Sequence, residues 1–396
     1  MSRRLALRAP WAQGIGSILR DVRFLQVGAQ VVFVVLLALA GSWLGSNLLQ
    51  ALDALGLNLG LGFFKQTAGF VIGQGPPMER SDTFLRAYVV GVANTLSVIS
   101  LGLALATILG ILAGVSLVSP NWLLRSIVRI YVEVVRNTPL LVQLFFLYFA
   151  VILQLPSLKD RITLGPVVLS QRGLYLPRAI PGQHKLVWLG LTVGAIIAAT
   201  VVYSLRLRRR IRTGEETRPG LWATTILVGV PLLGWFALPG DPYTLQAPQL
   251  EGLRMVGGTR LTPEFAGILL GLVIYTAAFI ADIVRAGLLA VAHGQREAAR
   301  SLGLHELQVL RFVVLPQALR LIIPPTTNQF LNLAKNSSLA IGIGFPDLYA
   351  VSHIIFSQSG QAVQVIALVM ATYLSISLLI SFVMNALNAR LRIPGR

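Results

Sequence analysis

The sequence contains no cysteine. That excludes a disulfide framework, a thiol nucleophile and any zinc site built on thiolates. Charge is scarce too: 12% of residues are Asp, Glu, Lys or Arg, where soluble domains carry about 25%. Acidic residues are in shortest supply, 15 against 33 basic ones, for a net charge of +18. A basic excess of that size can mark a nucleic-acid binder, but such proteins gather Lys and Arg on a hydrophilic face. Here the basic residues stand in short gaps between long apolar runs, the pattern of the positive-inside bias, so the expected surroundings are a lipid bilayer and not nucleic acid. The four histidines, His184, His293, His305 and His353, fall in separate loops without metal-ligand spacing. There is no Gly-x-Ser-x-Gly elbow and no glycine loop ending in Gly-Lys-Ser/Thr. Neither covalent chemistry nor direct nucleotide binding is supported; the chain is expected not to be an enzyme and to carry no cofactor.

What is present is a series of apolar segments, each long enough to cross about 30 Å of hydrocarbon. They cover about 24–49, 87–118, a third up to 153, then 186–205, 221–238, 263–291, 318–344 and 362–387. The amino-terminal arginines Arg3, Arg4, Arg8, Arg20 and Arg23, beside Asp21, mark a cytoplasmic start before a retained first span. Arg125 and Arg129, the run Arg206 to Arg212, and Arg390, Arg392 and Arg396 fall on the same side when the spans are counted off. The expectation is therefore an all-α, polytopic membrane bundle of about eight transmembrane helices, with both termini in the cytoplasm. Between spans, residues 50–86 read as an outside loop with a short amphipathic helix on the bilayer surface. Residues 154–185 and 239–262, rich in proline and glycine, read as exposed outside loops, and 345–361 is expected to lie on the outside as well. Pro324-Pro325 is expected to interrupt the seventh span.

One polar stretch, 293–316, is too structured to be filler. Residues 295–302 favour helix, and Gly303 is placed to end it in a left-handed conformation. A second short helix over 305–314 leads into Leu315-Pro316, where proline can begin the next helix. Ala298, Ala299 and Ser301 would let another surface approach closely, and Glu297 offers a charge near the helix start. An amphipathic helix resting on headgroups is the competing reading.

The spacing Glu297-Ala298-Ala299, three residues, Gly303, nine residues, Val313, one residue, Leu315-Pro316 resembles the EAA motif of permease subunits of bacterial ABC importers, with Val313 where isoleucine is usual. The run from Arg136 through Asn137, Thr138, Pro139, Leu140, Leu141, Val142 and Gln143 is similar to the signature of polar amino acid permeases, with Asn137 where glycine is usual. Tyr275 to Gly287 resembles the segment before the motif in the same family, where glutamate is commoner than Asp282, and Lys335-Asn336-Ser337-Ser338 resembles a further family run.

The resemblance implies a five-helix, MetI-like permease core with Glu297, Ala298, Ala299, Gly303, Leu315 and Pro316 in the coupling loop to a separate cytoplasmic ATP-binding subunit. It also implies a second permease chain and a periplasmic amino-acid-binding protein as partners, in the bacterial inner membrane. Candidates for the substrate path are Thr138, Pro139, Gln143, Asp282, Lys335, Asn336, Ser337 and Ser338; ionisable residues within spans are costly and so point to function. For Gln143 interhelical glue is the alternative, and for Asp282 a pairing with Arg285. The implied organisation is 1–86 as leader, first helix and outside loop; 87–153 and 263–396 as the two parts of the core; and 154–262 as inserted loops with an extra hairpin. This enlarged layout is similar to general L-amino acid permeases of the Aap/Bzt type. A sugar or peptide importer, or a transporter working without ATP, is the alternative.

Overall fold

The computed structural model describes residues 22–54, 60–252 and 254–390. Arg3, Arg4, Arg8, Arg20, Asp21, Arg392 and Arg396 lie outside them, as does the side chain of Arg23. Among the described residues, seven helices are long and apolar enough to cross a membrane, and a bent pair, taken as one span, makes eight.

Helix α1 (Val22–Ala54) is apolar all round, as a lipid-facing helix must be, and none of its apolar stretch is buried. The bundle is centred instead on α2 (Phe84–Leu117) and α7 (Pro263–Leu289). Both are capped at their starts by threonine: Thr83 accepts from the Arg86 amide and Thr262 from the Phe265 amide. Gly102, Ala106, Gly110 and Gly114 recur every four residues along α2, the small-residue spacing that lets membrane helices touch backbone to backbone. A Cβ at Gly110 or Gly114 would stand 2.6 Å from the Cβ of Ile280 or Val284. Of the apolar stretch of α7, 61% is buried.

The third span is not one rod. Helix α3 (Trp122–Arg136) and α4 (Leu140–Phe145, continued by a π turn Phe146–Ile152) meet at 109°. Pro139 supplies no N–H and pushes its predecessor out of the helical region. Side chains add donors to the last carbonyls of α3, where the backbone keeps only the Asn137 N–H to Glu133 at 3.2 Å and the Thr138 N–H to Val135 at 3.4 Å. Asn137 Nδ2 donates to the Glu133 carbonyl and Thr138 Oγ1 to that of Val134, each at 2.8 Å. Gln143 Nε2 donates to Val135 at 2.8 Å and Thr138 at 2.9 Å. In a membrane such groups must be satisfied internally.

The two loops expected to be irregular instead form strands. β1 (Ile162–Leu164), β2 (Val167–Ser170) and β3 (Gly173–Leu176) come from the first and β8 (Thr259–Leu261) from the second, joined antiparallel in the order β1-β2-β3-β8. β4 (Arg178–Pro181) pairs with β5 (Tyr243–Gln246), and β6 (Gln249–Glu251) with β7 (Arg254–Val256). Period-2 burial along β2 and β3 gathers Val168 and Tyr175 with Leu158 into a small core. Because β3 pairs with β8, both loops lie at one end of the bundle. From the tip of the β4–β5 ribbon the chain makes an excursion into the hairpin of α5 (Lys185–Thr213) and α6 (Pro219–Ala237), which pack chiefly on each other. Helix α5 does not stop at 205; it carries the arginine run as continuous helix to Thr213.

Two further expectations are corrected. Pro324 and Pro325 do not interrupt their span: α10 (Leu315–Asn336) runs through both, and the break comes later, in a 3-10 turn (Ser337–Ile343) ending at Gly344 with φ 77°. Thr326 and Thr327 hydroxyls bond back to the carbonyls of Ile322 and Ile323 just past the prolines, at 2.7 and 3.0 Å. Residues 345–361 hold α11 (Leu348–Ser359), whose Leu348, Val351 and Ile355 are fully buried against α2 and α12 (Ala362–Arg390). Among the described residues, the loop before α2 holds no surface helix beyond a 3-10 turn (Leu61–Lys65); Phe63, Ala68, Ile72 and Met78 tuck into the same cluster.

Candidate coupling loop and polar path

Helix α8 (His293–Ser301) projects where α7 ends, at the opposite end of the bundle from the strands. Its closure is a Schellman arrangement: Leu304 N–H donates to the Ala299 carbonyl at 3.3 Å and Gly303 N–H to that of Arg300 at 2.9 Å. This turn requires a left-handed residue, and Gly303 has φ 78°. The expected helix and stop are thus present. The second short helix is different: α9 (Glu306–Val309) passes through a π turn (Leu310–Val314) straight into α10, so Leu315 and Pro316 lie within a continuous rod rather than at its start.

The loop is tied at both ends. Arg296 donates to the Leu288 carbonyl on α7 at 2.8 Å. Arg300 grips Glu306 with two hydrogen bonds, at 2.8 and 3.1 Å, holding α8 to α9. Glu297 faces His293 at 3.1 Å on the exposed side. The two alanines part company: Ala299 is buried with Val309 and Val314, while Ala298 is exposed. Beside Ala298 and Glu297 stand Leu302, 82% exposed, and Leu307, 71% exposed, two apolar residues that the motif spacing does not single out. Their signal in the sequence is faint, since an isolated leucine beside a cap glycine looks like core.

Of the path candidates, Thr138 and Gln143 come together at the α3–α4 bend, on an open cleft of about 410 Å³ with Val142, Phe146 and Ile274. Pro139 makes the bend itself. Asp282 is held by two arginines, Arg136 at 2.6 Å and Arg285 at 3.3 Å. The Arg285 pairing was legible as an i,i+3 spacing; the Arg136 bond, which ties the end of α3 to α7, was not. Lys335 is exposed at the end of α10 and Asn336 half-buried. Ser337 and Ser338 donate to the carbonyls of Ala334 and Lys335 at 2.8 and 2.9 Å, capping the helix end. The turn they begin packs on α4 through Gly342, beside Phe145 and Leu141.

Asp347 is the polar residue that the sequence reading missed. It lies outside the spanning helices, 1% exposed, as the N-cap of α11. It accepts from the Ala350 amide at 2.8 Å and the Tyr373 hydroxyl at 3.1 Å. Next to it Thr95 accepts the Leu348 amide at 2.8 Å, and Asn94 Nδ2 donates to the carbonyl of Pro346 at 2.8 Å. Burial pushes the Asp347 carboxyl up to about 6, despite those donors. An aspartate between a proline and an apolar helix is a cap signal that could have found it.

Apolar helices of spanning length with a short polar helix at one end define a multi-pass membrane protein. Residues 220–393 match the family described as binding-protein-dependent transport system inner membrane component. The chain is 41% identical over 370 residues to the putative amino-acid ABC transporter permease YhdX of Escherichia coli, covering 93% of this chain and 94% of that one. It is 40% identical over 383 residues to the general L-amino acid transport system permease AapQ of Rhizobium johnstonii, covering 96% and 95%. Among solved structures it is similar to an amino acid ABC transporter with histidines, at a TM-score of 0.46 and 21% identity, covering 78% and 95% of the two chains. The chain belongs to the family of inner-membrane permease components of binding-protein-dependent ABC transporters.

Proposed function

We propose that the chain is the permease subunit of an ATP-driven importer of polar or general L-amino acids, and that α8 is its coupling helix. The observation that carries the assignment is the exposed Glu297–Ala298–Leu302 face on a short helix, braced by Arg296 to α7 and by the Arg300–Glu306 pair to α9. A push on that face reaches two spanning helices at once. ATP-binding subunits would seat on it, a second permease chain would complete a central path, and an extracytoplasmic binding protein would deliver substrate at the strand end. Nucleotide binding would favour the outward-open arrangement and hydrolysis would reset it, a two-state alternation driven by differential affinity.

The organisation follows the same reading. The core is 87–153 with 263–396 and its loop 293–316; 1–86 and 154–262 are additions, and with eight spans and the arginine bias both termini would lie in the cytoplasm. Asp282, clamped between Arg136 and Arg285, would hold the bent third span to the helix that leads into the coupling loop. Thr138, Pro139 and Gln143 would line the path at the bend, and 335–338 would border it beside α4. Relatives that carry general L-amino acids by name support the substrate class.

The test replaces Glu297 and Gly303 together (Glu297→Ala with Gly303→Val) in the assembled transporter in vesicles. Expected is retained assembly with amino-acid uptake lowered at least tenfold per ATP hydrolysed. Unchanged uptake with assembly intact would overturn the coupling role.

A further inference from the structure

The arginines at the end of the α5–α6 hairpin take no part in the function proposed above. Helix α5 is apolar up to Leu205 and then bears Arg206, Arg208, Arg209, Arg210 and Arg212. Its 29 residues make a rod of about 43 Å at about 1.5 Å per residue, against about 30 Å of hydrocarbon. The arginine-bearing turns therefore stand beyond the apolar length. At about 100° per residue the five side chains are distributed round the helix axis, not along one stripe.

Two of them are engaged within the hairpin. Arg206 stacks over Trp222, 4.4 Å from the ring centre, and donates to the Thr217 carbonyl at 3.2 Å. Arg209 pairs with Glu215 at 3.3 Å. Arg208, Arg210 and Arg212 are exposed and have no partner among the described residues. Arg218, close by in sequence, is the one non-glycine with positive φ among the described residues, at φ 40° and ψ 58°. Such strain persists where surroundings over-determine it. Of the apolar stretches of α5 and α6, only 11% and 6% are buried, so the hairpin does not sit in a groove of this chain's core.

We propose that this cationic collar binds the phosphate groups of anionic phospholipids and so holds the added hairpin at the bilayer surface on the α8 side. Arg210 points away from Arg208 and Arg212 across a helix that packs chiefly on α6; headgroups surround such a rod and can meet all three, whereas an acidic protein surface would need them on one face. A short cluster of Arg next to a spanning helix is attracted to an anionic leaflet by about fivefold in affinity for each charge. The proposal needs only the membrane setting and stands apart from the transport reading.

The full chain is placed in phosphatidylcholine nanodiscs and titrated with brominated phosphatidylglycerol. The Trp222 emission is isolated by difference from a Trp222→Phe protein. Expected is stronger quenching by phosphatidylglycerol than by brominated phosphatidylcholine, and no competition from inorganic phosphate. In Arg208→Gln/Arg210→Gln/Arg212→Gln the apparent affinity should fall by about 100-fold, while the corresponding triple lysine variant should retain it. If the triple glutamine protein fails to insert, Arg212→Gln alone reads the about fivefold step. Equal quenching by the two lipids, or an unchanged preference in the glutamine variants, would overturn the proposal. So would competition by inorganic phosphate, which would make this a free-anion site. Loss of co-purifying ATP-binding subunits with lipid preference intact would make it a protein-docking surface, and would overturn it too.

Discussion

Asp347 binds three elements together: it caps α11, receives the Tyr373 hydroxyl from α12, and sits beside the Thr95 and Asn94 contacts from α2. Its raised carboxyl, at about 6 against an ordinary value of about 4, sets a pH dependence. Below about pH 4 the group is protonated in both the folded and the unfolded chain. Between about 4 and 6 the unfolded chain releases its proton while the folded one keeps it. Folded stability therefore falls as pH rises through that window, by about 3 kcal/mol from this group. Asp347→Asn keeps the cap and lacks the titration. Its thermal midpoint in detergent, relative to the parent protein, should rise from pH 4 to pH 6; a constant difference would show that the carboxyl is not shifted. Residue chemistry of this kind was only partly legible. Gly303 could be read from spacing because a helix stop needs a left-handed residue, and that requirement is local. Asp347 could be read as a cap but not as buried, because burial comes from α2 and α12, far away in the chain.

The bend between α3 and α4 shows how elements follow from backbone accounting. Proline at 139 ends α3, and Asn137, Thr138 and Gln143 side chains donate to its last carbonyls. Gln143→Leu fills the same volume but leaves the Thr138 carbonyl without its donor and the Val135 carbonyl with only the 3.4 Å bond from the Thr138 amide. The expected loss is about 1–3 kcal/mol of stability, read as a lower thermal midpoint in detergent, with Gln143→Glu no rescue because a carboxylate cannot donate. Spans and their ends were legible from apolar length and arginine placement, since the bilayer imposes both. Proline was a poor guide to where a span breaks. Pro139 breaks one because side chains nearby can take up the freed carbonyls; Pro324 and Pro325 leave α10 intact, and the chain turns only at 337–343. The strands were missed because the alternation in 167–170 and 173–176 is only four residues long in each case.

In the whole molecule, the α5–α6 hairpin is an excursion from the tip of a two-stranded ribbon. Pro181 stands opposite Tyr243, and Gly182 N–H donates to the Pro242 carbonyl at 2.8 Å. Replacing 182–242 with an Asn-Gly turn should close β4 onto β5 as an ordinary hairpin. The shortened chain should keep the melting behaviour of the core and lose the preference for anionic lipid. Failure of the shortened chain to insert would show that the hairpin is part of the core.

From its sequence alone this chain was bound to be a membrane protein with a polar loop at 293–316 and a helix stop at Gly303. Apolar length, arginine bias and a left-handed cap are properties of short stretches, and a short stretch displays them wherever it lies. Tertiary structure alone decided that Ala299 turns inward while Ala298 and Leu302 face out, that Arg136 reaches Asp282, and that residues 345–361 are core. Each of these depends on which helix face meets which neighbour. The most apolar spanning helices, α1, α2, α6 and α12, carry no polar stripe, so hydrophobicity, which separates inside from outside in a soluble chain, does not separate their lipid-facing side from the buried one. Close packing of small residues such as Gly110 and Gly114 makes that choice instead.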